Sequence, residues 1–206
     1  MITIIDYGLG NLGSIYNMLK KIRVKAEITA EISDIEKAEK LILPGVGSFD
    51  TGMKNLTERN IIPVLNEKVI TQKVPILGIC LGMQMFTLKS QEGKLPGLGW
   101  MNAEVVKFDF SNKTENLNVP HMGWNTVDFK GDKGGWEFDE NSRFYFVHSY
   151  YIKCHDQSDV FGTTTYGKKF VSSFRRDNIL GVQFHPEKSH KFGMQLLKKF
   201  AEHFKC

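Results

Sequence analysis

The chain has 206 residues, 27 Lys and Arg against 23 Asp and Glu, a formal charge of +4 and three cysteines. That length suits one domain with a sizeable core, so the expectation is a single domain over residues 1–206. No Lys/Arg block stands out, and the basic residues near the C-terminus are spaced along a helical pattern, which argues against nucleic-acid binding. The longest uncharged run, "VPILGICLGMQMFTL", contains Pro, Gly and Gln and falls short of the ~20 apolar residues a spanning helix needs. Asp6 interrupts the opening "MITII", so no signal peptide is expected. Cys80, Cys154 and Cys206 show no zinc-like pairing, and a reducing cytoplasm fits them.

Strand-like and helix-like runs alternate through the first half. "ITIID" reads as a strand and "LGSIYNMLKKI" as a helix with Ile15, Met18, Leu19 and Ile22 on one face. "KAEIT" is a weaker strand, and "SDIEKAEK" a short helix capped by Ser33 with Glu36 at capping-box spacing. "KLILPG" is a buried strand. "GMKNLTERNIIPVLNEKVI" is helical, broken at Pro63. "VPILGI" and "LGMQMFTLKS" make the next strand and helix. This order predicts a mainly parallel sheet with helices on both faces.

The second half changes character. "AEVVKFDF", "NTVDFK", "RFYFVHSYYI", "VFGTTTYG", "FVSSFRR" and "ILGVQFHP" are strand-like runs between turn residues. They predict a smaller antiparallel portion. A closing amphipathic helix, "SHKFGMQLLKKFAEHF", turns Phe192, Leu196, Phe200 and Phe204 inward.

Three stretches bear on chemistry. "GLGNLG", with Glu31 downstream, matches the dinucleotide-binding GxGxxG pattern, but any tight β-to-α turn favours glycine, so the match is weak. "GICLG" is the cysteine counterpart of a nucleophile elbow. A strand ends, Gly78 and Gly82 flank Cys80, and a helix follows whose N-terminus would favour thiolate. "GVQFHPEKS" supplies a base. His185 reads as the end of a buried strand, and Glu187, two residues on in extended chain, would orient its ring. A lone buried cysteine is usually core and a lone histidine a satisfied strand end. The elbow glycines and the Pro-Glu turn together favour a Cys80–His185–Glu187 triad. "LPGVGSF" adds a Gly-rich loop that could present N–H groups to an oxyanion.

The ordered set "PGVGSF", "GICLGMQ", "PHMGWN", "YFVHSYY" and "GVQFHPEKS" resembles the class I (triad) glutamine amidotransferases over essentially the whole chain. Within that class the pattern is similar to the glutaminase subunits of imidazole glycerol phosphate synthases. The resemblance implies a class I amidotransferase fold and hydrolysis of L-glutamine through a cysteinyl thioester. It implies catalytic roles for Cys80, His185 and Glu187. Gly45, Val46, Gly47 and Leu81 would form the oxyanion site, and Gln84, Ser149 and Tyr150 would hold glutamine. His148 neighbours that segment and is not assigned as a second base. Asn11, Trp124 and Lys188 would face a (β/α)8-barrel partner in a heterodimer that receives ammonia through a closed channel. No metal or organic cofactor is implied. The loop at Gly45–Gly47 is expected to be out of its productive orientation without acceptor, and the isolated subunit nearly inactive.

Two acceptors stay open at this point: a histidine-pathway ribonucleotide, or a surface sugar amidated through a paralogous assembly. "GNLGS", "PGLGWMNAE" and "EKSHKFGM" lean towards the second. A non-catalytic partner-binding module and a cysteine hydrolase of another substrate are the contrasting readings.

Overall fold

The computed structural model describes residues 1–111, 117–130 and 136–204; Cys206 lies outside them. Strand β1 (Ile2–Ile5) leads into helix α1 (Leu12–Lys21). Then follow β2 (Ala26–Thr29), α2 (Ile32–Lys37), β3 (Leu41–Gly45), α3 (Phe49–Glu58), α4 (Ile61–Asn66), β4 (Ile76–Cys80) and α5 (Leu81–Met85). The second half comprises β5 (Lys89–Ser90), β6 (Ala103–Lys107), β7 (His121–Thr126), β8 (Asp128–Phe129), β9 (Arg143–His148), β10 (Tyr150–Cys154), β11 (Val160–Tyr166), β12 (Lys168–Arg176), β13 (Ile179–Val182) and α6 (His190–His203).

The main sheet runs β2-β1-β3-β4-β13-β12-β10-β6-β5, with β11 and β8 attached beside β12. Its β2-β1-β3-β4-β13 half is parallel, and β12, β10 and β6 continue it antiparallel. Strands β7 and β9 form a separate antiparallel pair. The mainly parallel sheet with a smaller antiparallel portion is as the sequence predicts.

Side chains alternate between two buried faces. Ile4, Ile42, Leu77 and Ile79 pack with Ile15 and Leu19 of α1 and Leu196, Leu197 and Phe200 of α6. Ile5, Leu41, Leu43 and Ile76 pack with Ile35 of α2, Phe49 and Met53 of α3 and Leu65 of α4. Burial on both faces is why these strands read as continuous apolar runs rather than alternating ones. Phe192, expected inward on α6, is only partly buried, whereas Phe204 is fully buried.

Several local expectations are corrected. Helix α2 starts at Ile32, with Glu31 at its N-cap and Ser33 inside it; no side chain caps it. Thr29 serves the entry instead, accepting from the Glu31 N–H and donating to Asp34. Pro63 does not break a helix. The break is at Asn60, which is left-handed at φ +54°, and Pro63 sits in the first turn of α4, where its missing N–H costs nothing. Helix α5 ends at Met85, because the Thr87 hydroxyl bonds the Gln84 carbonyl and the chain then leaves to pair with β6.

Two further corrections shape the site. "RFYFVHSYYI" is not one strand: it divides at Ser149, β9 pairing with β7 and β10 with β6 and β12. Strand β13 stops at Val182, short of His185. Beyond it the chain crosses to β9, where the His185 N–H donates to the Tyr145 carbonyl at 2.9 Å.

Candidate functional site

Strand insertion builds the site. β13 lies parallel beside β4 with Gly181 opposite Gly78 and Val182 opposite Ile79, so both strands deliver their following residues to one sheet edge. β3 flanks β4 on the other side, with Gly45 opposite Cys80. The carboxyl ends of three parallel strands therefore carry Gly45–Gly47, Cys80 and His185.

Cys80 is buried and holds φ +54°, ψ −109°, a strained conformation for a residue with a Cβ. This is the sharp turn expected of an elbow. The turn depends on its glycines. A Cβ on Gly82 would lie 1.8 Å from the Leu43 carbonyl oxygen, and one on Gly45 would lie 2.5 Å from the Tyr7 hydroxyl. Tyr7 donates to the Pro44 carbonyl at 2.7 Å, pinning the base of the Gly45–Gly47 segment. Burial, and then the nearby Cys80, raise the Tyr7 pKa far above its ordinary value, so it remains a neutral donor.

His185 Nδ1 bonds Glu187 Oε1 at 2.8 Å, and both side chains are about 2% exposed. The route differs from the sequence expectation: residues 186–188 form a 3₁₀ turn rather than extended chain, and that turn swings Glu187 back under the ring. Nε2 has no conventional hydrogen-bond partner among the described residues. Burial alone would lower the His185 pKa. The charge of the nearby Cys80, and then Glu187, outweigh it, and the group is pushed up to about 10. Such a ring stays protonated at neutral pH and supplies positive charge beside the sulfur.

Helix α5 is only five residues long, so it contributes less macrodipole than the sequence suggested. A further donor comes from Gln183, whose Nε2 approaches Cys80 Sγ at 3.7 Å while its Oε1 accepts from Gln84 Nε2 at 3.0 Å. Gln183 was not singled out by sequence reasoning, although its place two residues before His185 was a usable signal.

A cavity of about 320 Å³ opens over these groups, lined by Val46, Gly47, Cys80, Leu81, Gln84, Glu92, His148, Ser149, Tyr150 and His185, among others. It gathers nearly every residue that the sequence reading placed at the oxyanion and glutamine sites. Glu92 was missed. Its Oε2 accepts from the Phe49 N–H at 2.9 Å, which fixes a carboxylate at the rim; no sequence pattern flagged it. Among the described residues no group of three or more His, Cys, Asp or Glu side chains could hold a metal ion.

Of the residues expected to face a partner, Trp124 and Lys188 meet around one ring. Trp124 is 46% exposed, edge-on to Tyr145 at 6.2 Å and stacked on His190 at 5.4 Å, and Lys188 Nζ sits 5.6 Å from the Tyr145 centroid. Asn11 is on a different element, the β1–α1 turn, where Gly10 abuts Pro44. That turn does not meet the dinucleotide pattern. Gly13 has open space where a Cβ would go, so it makes no close helix–strand contact, and the space beside Gly8 is taken by Arg59 and Asn55.

The model of the family "Glutamine amidotransferase class-I" matches residues 3–204. A protein of Methanococcus maripaludis named imidazole glycerol phosphate synthase subunit HisH 2 is 57% identical over 203 residues, covering 98% of this chain and 99% of that protein. One of the same name from Pseudomonas aeruginosa is 50% identical with the same coverage. Among solved structures, one described as a glutamine amidotransferase superposes with TM-score 0.72 at 19% identity, covering 98% of each chain. The glutaminase domain of a Trypanosoma brucei CTPS with bound acivicin superposes with TM-score 0.63 at 14% identity, covering all of this chain and 95% of that one. These two share the fold.

Proposed function

The chain belongs to the class-I glutamine amidotransferases, and from that premise we propose how its site turns over glutamine and for whom. The observation that carries the reading is Cys80 on a strained elbow, facing a His185 whose Nδ1–H donates to the Glu187 carboxylate and whose ring Cys80 and Glu187 together keep protonated. Cys80 attacks the carboxamide carbon of L-glutamine. Leu81 and the Gly45–Gly47 segment donate N–H groups to the oxyanion. His185 gives its proton to the departing ammonia, leaving a glutamyl thioester, and then takes a proton from the water that releases glutamate. Gln84 and the Ser149–Tyr150 backbone hold the amino-acid end, and the Glu92 carboxylate suits its ammonium.

The chain works as one domain in the cytoplasm, in a heterodimer with a (β/α)8-barrel subunit that binds around Asn11, Trp124 and Lys188. Ammonia passes to the barrel without meeting water, which would protonate it and remove its nucleophilicity. The names of the relatives favour imidazole glycerol phosphate synthase, and so the lyase reaction of histidine biosynthesis. Gly47, at φ +101°, can turn its peptide without strain, and the segment becomes productive once acceptor binds the partner. A second reading keeps this half-reaction and sends ammonia to a surface sugar. The numbered name HisH 2 favours it, since an organism with a further such subunit has one to spare for another acceptor.

A glutamine-analogue electrophile should label Cys80 in the wild type and not in Cys80→Ala, which should also lose glutaminase activity; unchanged activity in that variant would refute the reading. Stimulation of the barrel complex by the histidine-pathway ribonucleotide selects the first acceptor. Activity only with a nucleotide-sugar enzyme present selects the second.

A further inference from the structure

We propose that Asn125, His121 and His148 form a one-directional hydrogen-bond relay that positions the Tyr150 peptide of the pocket from strand β7. The inference rests on the glutamine-pocket reading above and assigns residues that the mechanism does not use.

The direction of each bond follows from one fixed amide. The Thr126 N–H donates to Asn125 Oδ1 at 2.8 Å, and Asn125 Nδ2 donates to the Thr165 carbonyl at 3.0 Å. The amide therefore cannot be flipped, and Nδ2 is what faces His121 Nε2 at 3.2 Å. His121 Nε2 must accept, so its proton is on Nδ1, which donates to His148 Nε2 at 3.0 Å. His148 in turn carries its proton on Nδ1 and donates to the Tyr150 carbonyl at 2.7 Å.

Each ring then needs one proton and no more. Both are buried. Burial lowers the His121 pKa to about 4. Burial also dominates at His148, which falls to about 3: its bond to Tyr150 opposes the shift, and His121 and His185 add to it. The His121 plane is held between Phe146 at 4.8 Å and Tyr166 at 4.1 Å, both nearly parallel to it.

The end of the relay matters because of strand geometry. Phe108 N–H donates to the Ser149 carbonyl across the β6–β10 ladder, so the N–H and C=O of Tyr150 both point away from β6. The Tyr150 carbonyl also accepts from Gln84 Nε2 at 3.4 Å, and Gln84 reaches Cys80 through Gln183. With both of its lone pairs occupied, that carbonyl fixes the plane of the Tyr150–Tyr151 peptide and holds the Gln84 amide. At the other end Asn125 follows the half-exposed Trp124, so a shift of β7 reaches the pocket.

The test uses the chain with its barrel partner for kinetics and 15N-histidine labelling for tautomers. In the wild type near neutral pH both rings should be neutral with the proton on Nδ1. His148→Phe should raise the KM for glutamine about 10-fold, the worth of one hydrogen bond, with kcat within about threefold. His148→Asn keeps a donor near the Nδ1 position and should recover most of that loss. Asn125→Asp can only accept, so the wild-type tautomer pattern should vanish and KM rise as in His148→Phe. An Nε2–H tautomer at His148 in the wild type, equal KM for His148→Phe and His148→Asn, or an unchanged pattern in Asn125→Asp would each overturn the relay. A wild-type complex that hydrolyses no glutamine, yet shows these tautomers and their loss in Asn125→Asp, would sink the glutaminase reading and leave the relay standing.

Discussion

Replacing Glu187 by Gln tests the central pair with almost no change of shape. The carboxylate accepts from His185 Nδ1 at 2.8 Å with both side chains buried, so the bond is charge-assisted and unscreened. A hydrogen bond to a charged group is worth about 1.5–3 kcal/mol. At 1.36 kcal/mol per pKa unit, its loss should lower the His185 pKa by about 1–2 units from its present value near 10. The same energy, placed in the transition state, is about 10- to 150-fold in kcat/KM. The sign for stability is definite. The folded-state pKa of His185 lies above its ordinary 6.5, so the stabilisation is complete below about pH 6.5 and lost as pH rises through about 10. Glu187→Gln should therefore melt about 3–12 °C below the wild type at pH 7 for a chain of this size, and the gap should narrow towards pH 10. Two assays check this: the pH profile of Cys80 labelling by a glutamine-analogue electrophile, whose alkaline limb should move down, and thermal melts at pH 7 and 10. A variant with the wild-type limb and a pH-independent melting difference would show that Glu187 does not set the state of His185.

The elbow makes further predictions. Cys80→Gly should be more stable than Cys80→Ala by about 1 kcal/mol, because φ +54° strains any residue with a Cβ; equal denaturant midpoints would contradict this. Gly82→Ala should cost more than about 3 kcal/mol or fail to fold, since the added carbon meets the Leu43 carbonyl at 1.8 Å and backbone cannot swing aside; a soluble variant with wild-type labelling would refute that contact. Trp124→Ala should change stability by under about 1 kcal/mol, as the ring is half exposed, while weakening binding to the proposed barrel partner in calorimetry; undiminished affinity would remove Trp124 from the proposed interface.

What the sequence determined by itself was local. Apolar runs bounded by Gly and Pro marked the strands, and "GICLG", "FHPE" and "LPGVG" pointed to a sharp turn at Cys80, a His185–Glu187 pair and a Gly-rich loop, because each is a turn chemistry written in adjacent residues. Where neighbours along the chain did not decide the outcome, the reading slipped. Nothing between Val147 and Tyr150 announces that the strand divides at Ser149, since both halves are equally β-prone and only the partner strands differ. The helix after Cys80 is short because β6 competes for Leu88–Ser90, which lies outside any local window.

Tertiary structure decided the rest. Cys80 and His185 meet because β13 inserts beside β4, a choice of sheet order that periodicity does not encode. Gln183 and the His121–His148 pair look like ordinary polar residues in sequence. Their roles arise from burial, which strips away water and obliges each donor to find one particular acceptor. Whether a buried polar residue is filler or machinery depends on what the fold sets opposite it.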